Sequence, residues 1–101
     1  MPRYVFPTKF ALGINYPNPF RYATKIRFAL PVEAAVSLQI FTLNGRLVRR
    51  LITPDRKLPV MYHEVLWDGT DDFGRHVATG TYVYRMTSGK HMESKIMFMV
   101  R

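Results

Sequence analysis

Three carboxylates lie close together between Asp68 and Asp72, and this segment suggests chemistry more than any other in the sequence. Asp68, Asp71 and Asp72 could supply the oxygen ligands that calcium prefers. Their spacing does not match an EF-hand loop, and Arg75 follows closely enough to pair with one of them. Asp and Gly also dominate positions where side chains hydrogen-bond to the local backbone. The segment therefore favours a series of tight turns over a calcium site.

The other groups that could serve in catalysis stand apart from one another. His63, His76 and His91 lack the spacing of a zinc site. No serine has an evident base partner, the chain contains no cysteine, and it has no glycine-rich phosphate loop. Glu64 could form a carboxylate pair with an aspartate, but nothing in the sequence places the two across a cleft. We therefore expect no enzymatic activity, no bound metal and no cofactor.

The charge of the chain points towards acidic partners. A net charge of +8 over 101 residues suggests nucleic acid, anionic lipid or anionic polysaccharide. The basic residues are spread along the sequence, however, and no nucleic-acid-binding motif accompanies the one tight group, Arg46, Arg49 and Arg50. A solvated basic face is favoured over a nucleic-acid site, while an anionic glycan or lipid surface stays open. No apolar run is long enough to predict a transmembrane segment.

Polar and apolar side chains alternate along several short runs, which is typical of strands with one buried face. Ile26, Phe28 and Leu30, for example, fall on a single face. The pair Asn44-Gly45 tolerates the positive φ angles of a type I′ turn and predicts a hairpin at that point. The predicted strands cover residues 24–30, 36–40, 46–52, 62–67, 81–87 and 91–100.

Six or seven short strands with frequent turn signals predict an all-β chain. Because no helical run is evident, the pattern favours an immunoglobulin-like antiparallel β-sandwich of about seven strands. Trp67, the single tryptophan, is expected between the two sheets. We assign residues 9–101 to this domain and residues 1–8 to an apolar arm or linker.

Two segments depart from simple alternation. Residues 96–100 are apolar at every position, which favours a strand buried on both faces over an exposed apolar face. Tyr4, Val5 and Phe6 make the start of the chain too apolar for an idle linker. We expect this arm to form an edge strand or to dock on a neighbouring molecule.

Several blocks of the sequence, in order along the chain, resemble one known family. They are Asn15-Tyr16-Pro17-Asn18-Pro19-Phe20, then Val36 to Phe41, then Trp67-Asp68-Gly69-Thr70-Asp71-Asp72, and finally Lys95 to Arg101. Together they are similar to the C-terminal sorting domains of the type IX secretion system. The third block is also similar to the immunoglobulin-like domain of flagellar hook-capping proteins. The likeness extends over about nine-tenths of the chain.

The resemblance implies a β-sandwich at the end of an exported bacterial protein, located outside the cell or on its surface. In that family the domain is recognised by the secretion machinery, and the cargo is released or attached to anionic surface polysaccharide. Recognition would fall on the first and last blocks, at Asn15, Tyr16, Pro17, Asn18, Pro19, Phe20, Lys95 and Arg101.

The two prolines of the first block predict a rigid, non-helical corner. Pro17 and Pro19 fix their own φ angles and restrict the residues before them. Tyr16 and Phe20 are then expected to anchor the corner in the edge of the sandwich.

A structural role is the alternative hypothesis. The chain would then be a self-associating subunit of an extracellular filament or surface appendage, with like subunits as its partners. Contacts would come from Tyr4, Val5 and Phe6 of the arm and from Met97 and Met99 of the last strand. Strand addition at an exposed edge supplies backbone hydrogen bonds and apolar contacts together, so it is an economical route to assembly.

Overall fold

The computed structural model of the protein describes residues 5–101, which contain nine strands and no helix. Six strands are six to nine residues long, and the other three have two residues each. The strands are β1 (Ala11–Leu12), β2 (Thr24–Leu30), β3 (Ala34–Ala35), β4 (Ser37–Thr42), β5 (Leu47–Ile52), β6 (Lys57–Leu58), β7 (Met61–Trp67), β8 (Gly80–Ser88) and β9 (His91–Met99). The described residues therefore hold no helix of the length and apolarity needed to cross a bilayer.

Seven of these strands form two layers. One sheet has the order β1-β2-β7, and the other has the order β5-β4-β8-β9. Strands β3 and β6 pair with each other as a separate short ribbon. Every pair of strands is antiparallel. The predicted all-β, immunoglobulin-like sandwich is confirmed.

The core lies between the two sheets and follows the predicted alternation. Ile26, Phe28 and Leu30 point inward from β2, where their period of two places them on one face. Trp67 is fully buried at the end of β7 and contacts the rings of Phe20 and Tyr82 edge to face. The opposite layer contributes Leu38, Ile40, Tyr82, Tyr84, Met86, Met97 and Met99.

The hairpin between β4 and β5 lies where Asn44-Gly45 predicts it, but its turn is of a different type. Gly45 has a φ of 95°, and every residue among 5–101 with a positive φ is a glycine. Asn44 therefore has a negative φ, which a type I′ turn does not allow. The N–H of Gly45 donates to the carbonyl of Thr42, and the N–H of Thr42 donates to the carbonyl of Arg46. This is a type I turn followed by a left-handed glycine, so the type I′ prediction is wrong.

Strand β9 forms an outer edge of the four-stranded sheet, and its two faces differ in burial. Met97 and Met99 are buried in the core, whereas Ile96 and Phe98 remain about half exposed. The expectation of burial on both faces is therefore wrong, because the side chains that point away from the core stay accessible to solvent. Met97 and Met99, the predicted assembly contacts of this strand, have their side chains enclosed by their own domain, so such a contact would first require the strand to leave the core.

The start of the chain is described only in part. Tyr4 lies outside the described residues, so its predicted docking role is not tested. Val5 and Phe6 are exposed and belong to no strand, whereas Pro7 is buried. Regular structure begins at Ala11.

Candidate recognition surface

The segment from Gly13 to Phe20 crosses from one sheet of the sandwich to the other. At its start, β1 pairs with β2, and the backbones of Tyr16 and Lys25 then exchange two hydrogen bonds. At its end, Phe20 bridges to Met99 on β9 in a parallel arrangement. The corner predicted from its prolines therefore closes one side of the core.

A buried hydroxyl group holds the first half of this crossing. The Tyr84 hydroxyl donates to the carbonyl of Gly13 at 2.7 Å and accepts from the N–H of Asn15 at 3.0 Å. Burial raises the pKa of this hydroxyl above its ordinary value, although the Asn15 N–H opposes the shift. Tyr84 therefore ties the centre of the four-stranded sheet to the incoming chain.

Asn15 is part of the support for the corner and is not on its surface. Its side chain is almost fully buried, and its Nδ2 atom donates to Thr24 Oγ1 at 3.1 Å. The Thr24 hydroxyl in turn donates to the carbonyl of Pro17 at 2.8 Å. Asn15 positions the corner, and its burial leaves no part of its side chain for a partner to contact.

The second half of the crossing is attached to the last strand. The Phe20 N–H donates to the Phe98 carbonyl at 3.0 Å, and the Val100 N–H donates to the Phe20 carbonyl at 2.9 Å. The Asn18 side chain accepts from the Phe98 N–H at 3.0 Å. Two segments that lie about 80 residues apart in the sequence thus share one surface.

The two aromatic residues of the corner behave differently from each other. Phe20 is buried beside Trp67, with ring centroids 5.6 Å apart, so its predicted anchoring role is confirmed. Tyr16 is 78% exposed and anchors nothing, so that prediction is wrong. Pro17 and Pro19, whose preceding peptide bonds are both cis, are also exposed. Tyr16, Pro17, Asn18 and Pro19 form the outer surface of the corner.

The C-terminal residue lies beside the same corner, in a hollow that sequence patterns did not indicate. Arg101 lines this hollow of about 620 Å³ together with Arg21, Tyr22 and His76. Tyr22 is 76% exposed, and a lone aromatic in a loop carries no periodic signal that would have identified it. Lys95, in contrast, lies in the middle of β9 opposite Tyr84, away from the corner.

We define the corner surface as the exposed side chains that these contacts bring together. It joins the outer residues of the corner to those at the end of the chain. Its members are Tyr16, Pro17, Asn18, Pro19, Arg21, Tyr22, Phe98, Val100 and Arg101.

The acidic loop after β7 forms turns held by its own carboxylates. Asp68 Oδ1 accepts from the N–H and the hydroxyl of Thr70, and the hydroxyl is the main reason that the pKa of Asp68 is lowered. Asp71 Oδ1 accepts from the N–H groups of Phe73 and Arg75, and the bond from Arg75 contributes most to lowering the pKa of Asp71. The predicted turns, held by bonds from carboxylate side chains to the local backbone, are therefore confirmed.

Two arginines of β5, Arg49 and Arg50, contact this loop, whereas the sequence predicts Arg75 as the partner of one of its carboxylates. Arg50 Nη1 lies 2.9 Å from Asp72 Oδ2, and Arg49 Nη1 donates to the hydroxyl of Thr70 and the carbonyl of Asp71. The Arg75 guanidinium instead lies over the Phe73 ring. Residues 5–101 bring no three histidine, aspartate or glutamate side chains into a cluster that could hold a metal ion.

Comparison with known proteins gives similarity in structure only. The sequence matches no family model and no curated protein. Among solved structures, the chain is similar to part of dimeric latent PorU from Porphyromonas gingivalis, with a TM-score of 0.70 and 26% sequence identity. This similarity covers 86% of the present chain and 9% of that chain.

A second solved structure has the same fold. PorZ, an essential bacterial surface component of the type IX secretion system of Porphyromonas gingivalis, gives a TM-score of 0.61 at 22% identity. The similarity covers 91% of the present chain and 11% of PorZ, so the chain spans about a tenth of the length of either structure. The β-sandwich of this protein therefore recurs as a small part of a type IX secretion component.

Proposed function

We propose that this chain is a non-catalytic recognition module of an exported bacterial protein. It directs secretion through the type IX system and attachment to the cell surface, and its place of action is extracellular or at that surface. Its partner is a protein of the secretion machinery, which binds the corner surface.

One observation carries the proposal. The hydrogen bonds that join Phe20 to Phe98 and Val100 unite the first and last blocks of the family resemblance in one place. A receptor that recognised two separate segments would need two binding sites, whereas a single docking event can contact both of these. The similarity in fold to part of PorZ supports the same system.

The chemistry of the corner surface suits a protein partner. Tyr16 and Tyr22 present large, rigid side chains with a polar tip, which is the type of residue enriched where proteins bind one another. Arg21 and Arg101 add positive charge at its rim, which attracts an acidic partner and steers its approach. Anionic surface polysaccharide is proposed as a second partner on the basis of the overall charge of +8.

The absence of catalysis is part of the proposal. The carboxylates with lowered pKa values are Glu64, Asp68 and Asp71, and each accepts hydrogen bonds that hold it in its charged form. A lowered pKa makes a carboxylate a weaker base, and the hydrogen bonds already occupy its oxygen atoms, which supports a structural role for all three.

Export of a reporter protein tests the proposal. The full chain is fused to the C-terminus of a periplasmic reporter in a bacterium with a type IX system, and the reporter is measured outside the cell. We expect export of the wild-type fusion and a strong loss with Tyr16→Ser, because Tyr16 is exposed and supports no other residue.

Tyr62→Ser provides the matched control. Tyr62 is also an exposed tyrosine, but it lies on the outer face of the three-stranded sheet, opposite Ala29, and is not part of the corner surface. We expect its substitution to leave export intact, with equal melting temperatures for both variants. A wild-type fusion that stays in the periplasm would refute the proposal, as would equal export of the two variants.

The alternative of a filament subunit has one supporting observation, the exposure of Val5 and Phe6 at the start of the described chain. We propose it as the second candidate. Removal of residues 1–8 is then expected to abolish growth of large assemblies in light scattering. Assemblies that persist after this truncation would eliminate the arm as the contact.

A further inference from the structure

The edge of β9 offers unpaired backbone groups over five residues. At one end of this edge, Phe98 and Val100 turn their N–H groups outward and donate to Asn18 and Phe20. By the alternation of a strand, Met92, Ser94 and Ile96 turn their backbone N–H and C=O groups to the same side. These groups of Met92, Ser94 and Ile96 form no backbone hydrogen bond with the described residues. An open edge of this kind is a template for another strand.

Side chains along this edge alternate in a self-complementary pattern. Met92 and Ile96 are exposed apolar residues on the outer face, with Ser94 between them. Glu93 and Lys95 are half-buried on the opposite face, which also carries Met97 and Met99, and neither has an ion-pair partner among residues 5–101. The strand therefore has a carboxylate and an ammonium group at equal distances on either side of Ser94.

We propose that two copies of this chain pair through their β9 edges, antiparallel, with Ser94 opposite Ser94 of the second copy. Met92 of each copy then faces Ile96 of the other, and Glu93 of each faces Lys95 of the other. Side chains directly opposite in an antiparallel pair are close enough to interact strongly. The pairing forms two ion pairs and two apolar contacts from one symmetric operation.

The charges select this register over its neighbours. A pair centred on Glu93 would place Glu93 against Glu93, and one centred on Lys95 would place Lys95 against Lys95. Like charges directly opposite are destabilising. Arg85 lies beside Ser94 in each copy, so the pairing also brings two arginines towards each other. They stay three strand spacings apart, about 14 Å in total, which exceeds the screening length of about 8 Å at physiological salt.

The corner limits the contact and closes it. Asn18 occupies the edge beside Phe98, so a second strand can pair only with residues 92–96. The contact uses the same residues of both copies, and such an interface forms a closed dimer and does not extend into a filament. The pairing is small, so we expect a dissociation constant in the range of about 10 to 1,000 µM.

Charge reversal tests this pairing in the full chain. Lys95→Glu and Glu93→Lys each convert both ion pairs into like-charge contacts, and we expect each to weaken the dimer at least about tenfold. The double variant Glu93→Lys/Lys95→Glu restores opposite charges across the interface and is expected to dimerise like the wild type. Sedimentation equilibrium over micromolar to millimolar concentrations measures each dissociation constant.

Mixing the two single variants gives a further readout. Each variant alone is expected to dimerise at least about tenfold more weakly than the wild type, whereas an equimolar mixture is expected to form a heterodimer in which the two lysines of the Glu93→Lys copy face the two glutamates of the Lys95→Glu copy. Circular dichroism and melting temperature check that all variants fold alike. A wild type that is monomeric at millimolar concentration overturns the proposal, as does a single reversal that leaves the dimer intact or a double variant that fails to restore it.

Discussion

Replacement of Tyr84 by phenylalanine removes one oxygen atom and tests whether the corner depends on the four-stranded sheet. The ring stays in the core, where Tyr84 is fully buried, so packing is preserved. The hydroxyl, however, is the partner of two backbone groups, the N–H of Asn15 and the carbonyl of Gly13. Both groups lose their hydrogen bond in the Tyr84→Phe variant.

The cost follows from the burial of Asn15. Loss of an intramolecular hydrogen bond destabilises a protein by about 1 kcal/mol, and the cost rises to about 1–3 kcal/mol where a buried donor is left without a partner. Asn15 is nearly inaccessible, so water cannot replace the lost bond without opening the corner. We expect the free energy of unfolding to fall by about 2–3 kcal/mol, and the melting temperature by about 10 °C or more.

Tyr82→Phe is the matched control, because the Tyr82 hydroxyl makes a single bond to the carbonyl of exposed Ala78. We expect that substitution to cost about 1 kcal/mol in urea denaturation. Amide exchange supplies the local readout, in which the Asn15 N–H should exchange faster in Tyr84→Phe only. Equal destabilisation by the two substitutions, with unchanged exchange at Asn15, would refute the assigned role of Tyr84.

Three further predictions concern the acidic loop. Gly69→Ala is expected to lower the free energy of unfolding by about 2–3 kcal/mol in urea denaturation, because Gly69 has a φ of 77° and its new Cβ would lie 2.5 Å from Met99 Cε. Gly74→Ala is the control, since Gly74 has a similar φ of 80° but a Cβ there would meet no other atom. Its expected cost is about 1–2 kcal/mol. Because hydrogen bonds lower the pKa values of Asp68 and Asp71 in the folded protein, their stabilisation is complete above about pH 4 and is lost as the pH falls through those lowered values. The melting temperature should therefore fall on acidification below pH 4, and less steeply in Asp68→Asn or Asp71→Asn. Calcium should leave the melting temperature unchanged, and an upward shift on titration would show that the loop binds the metal.

The sheets could be predicted because their signal is local. Alternation along β2 identifies Ile26, Phe28 and Leu30 as inward-facing without any knowledge of their partners. The size and single occurrence of Trp67 are enough to predict its position in the core. The pair Asn44-Gly45 predicts the position of the turn but not its type, because the pair is compatible with both loop geometries.

The candidate site depended on contacts that no local pattern encodes. Tyr16 and Asn15 are neighbours in an extended segment, and only the position of Tyr84, 69 residues away from Asn15, decides which of them is buried. The exposure of Ile96 and Phe98 has the same origin. An apolar run is compatible with a covered or an open face, and the topology of the sheet decides between them.

The parallel junction between the corner and β9 has a mechanical consequence. Phe20 is hydrogen-bonded to both Phe98 and Val100, and its chain runs in the same direction as β9. Tension applied between the two ends of the protein pulls these neighbouring segments in opposite directions along their length. The hydrogen bonds are then loaded in shear, all at the same time, instead of being unzipped one after another. A junction loaded in this way resists tension better than one whose hydrogen bonds open one at a time.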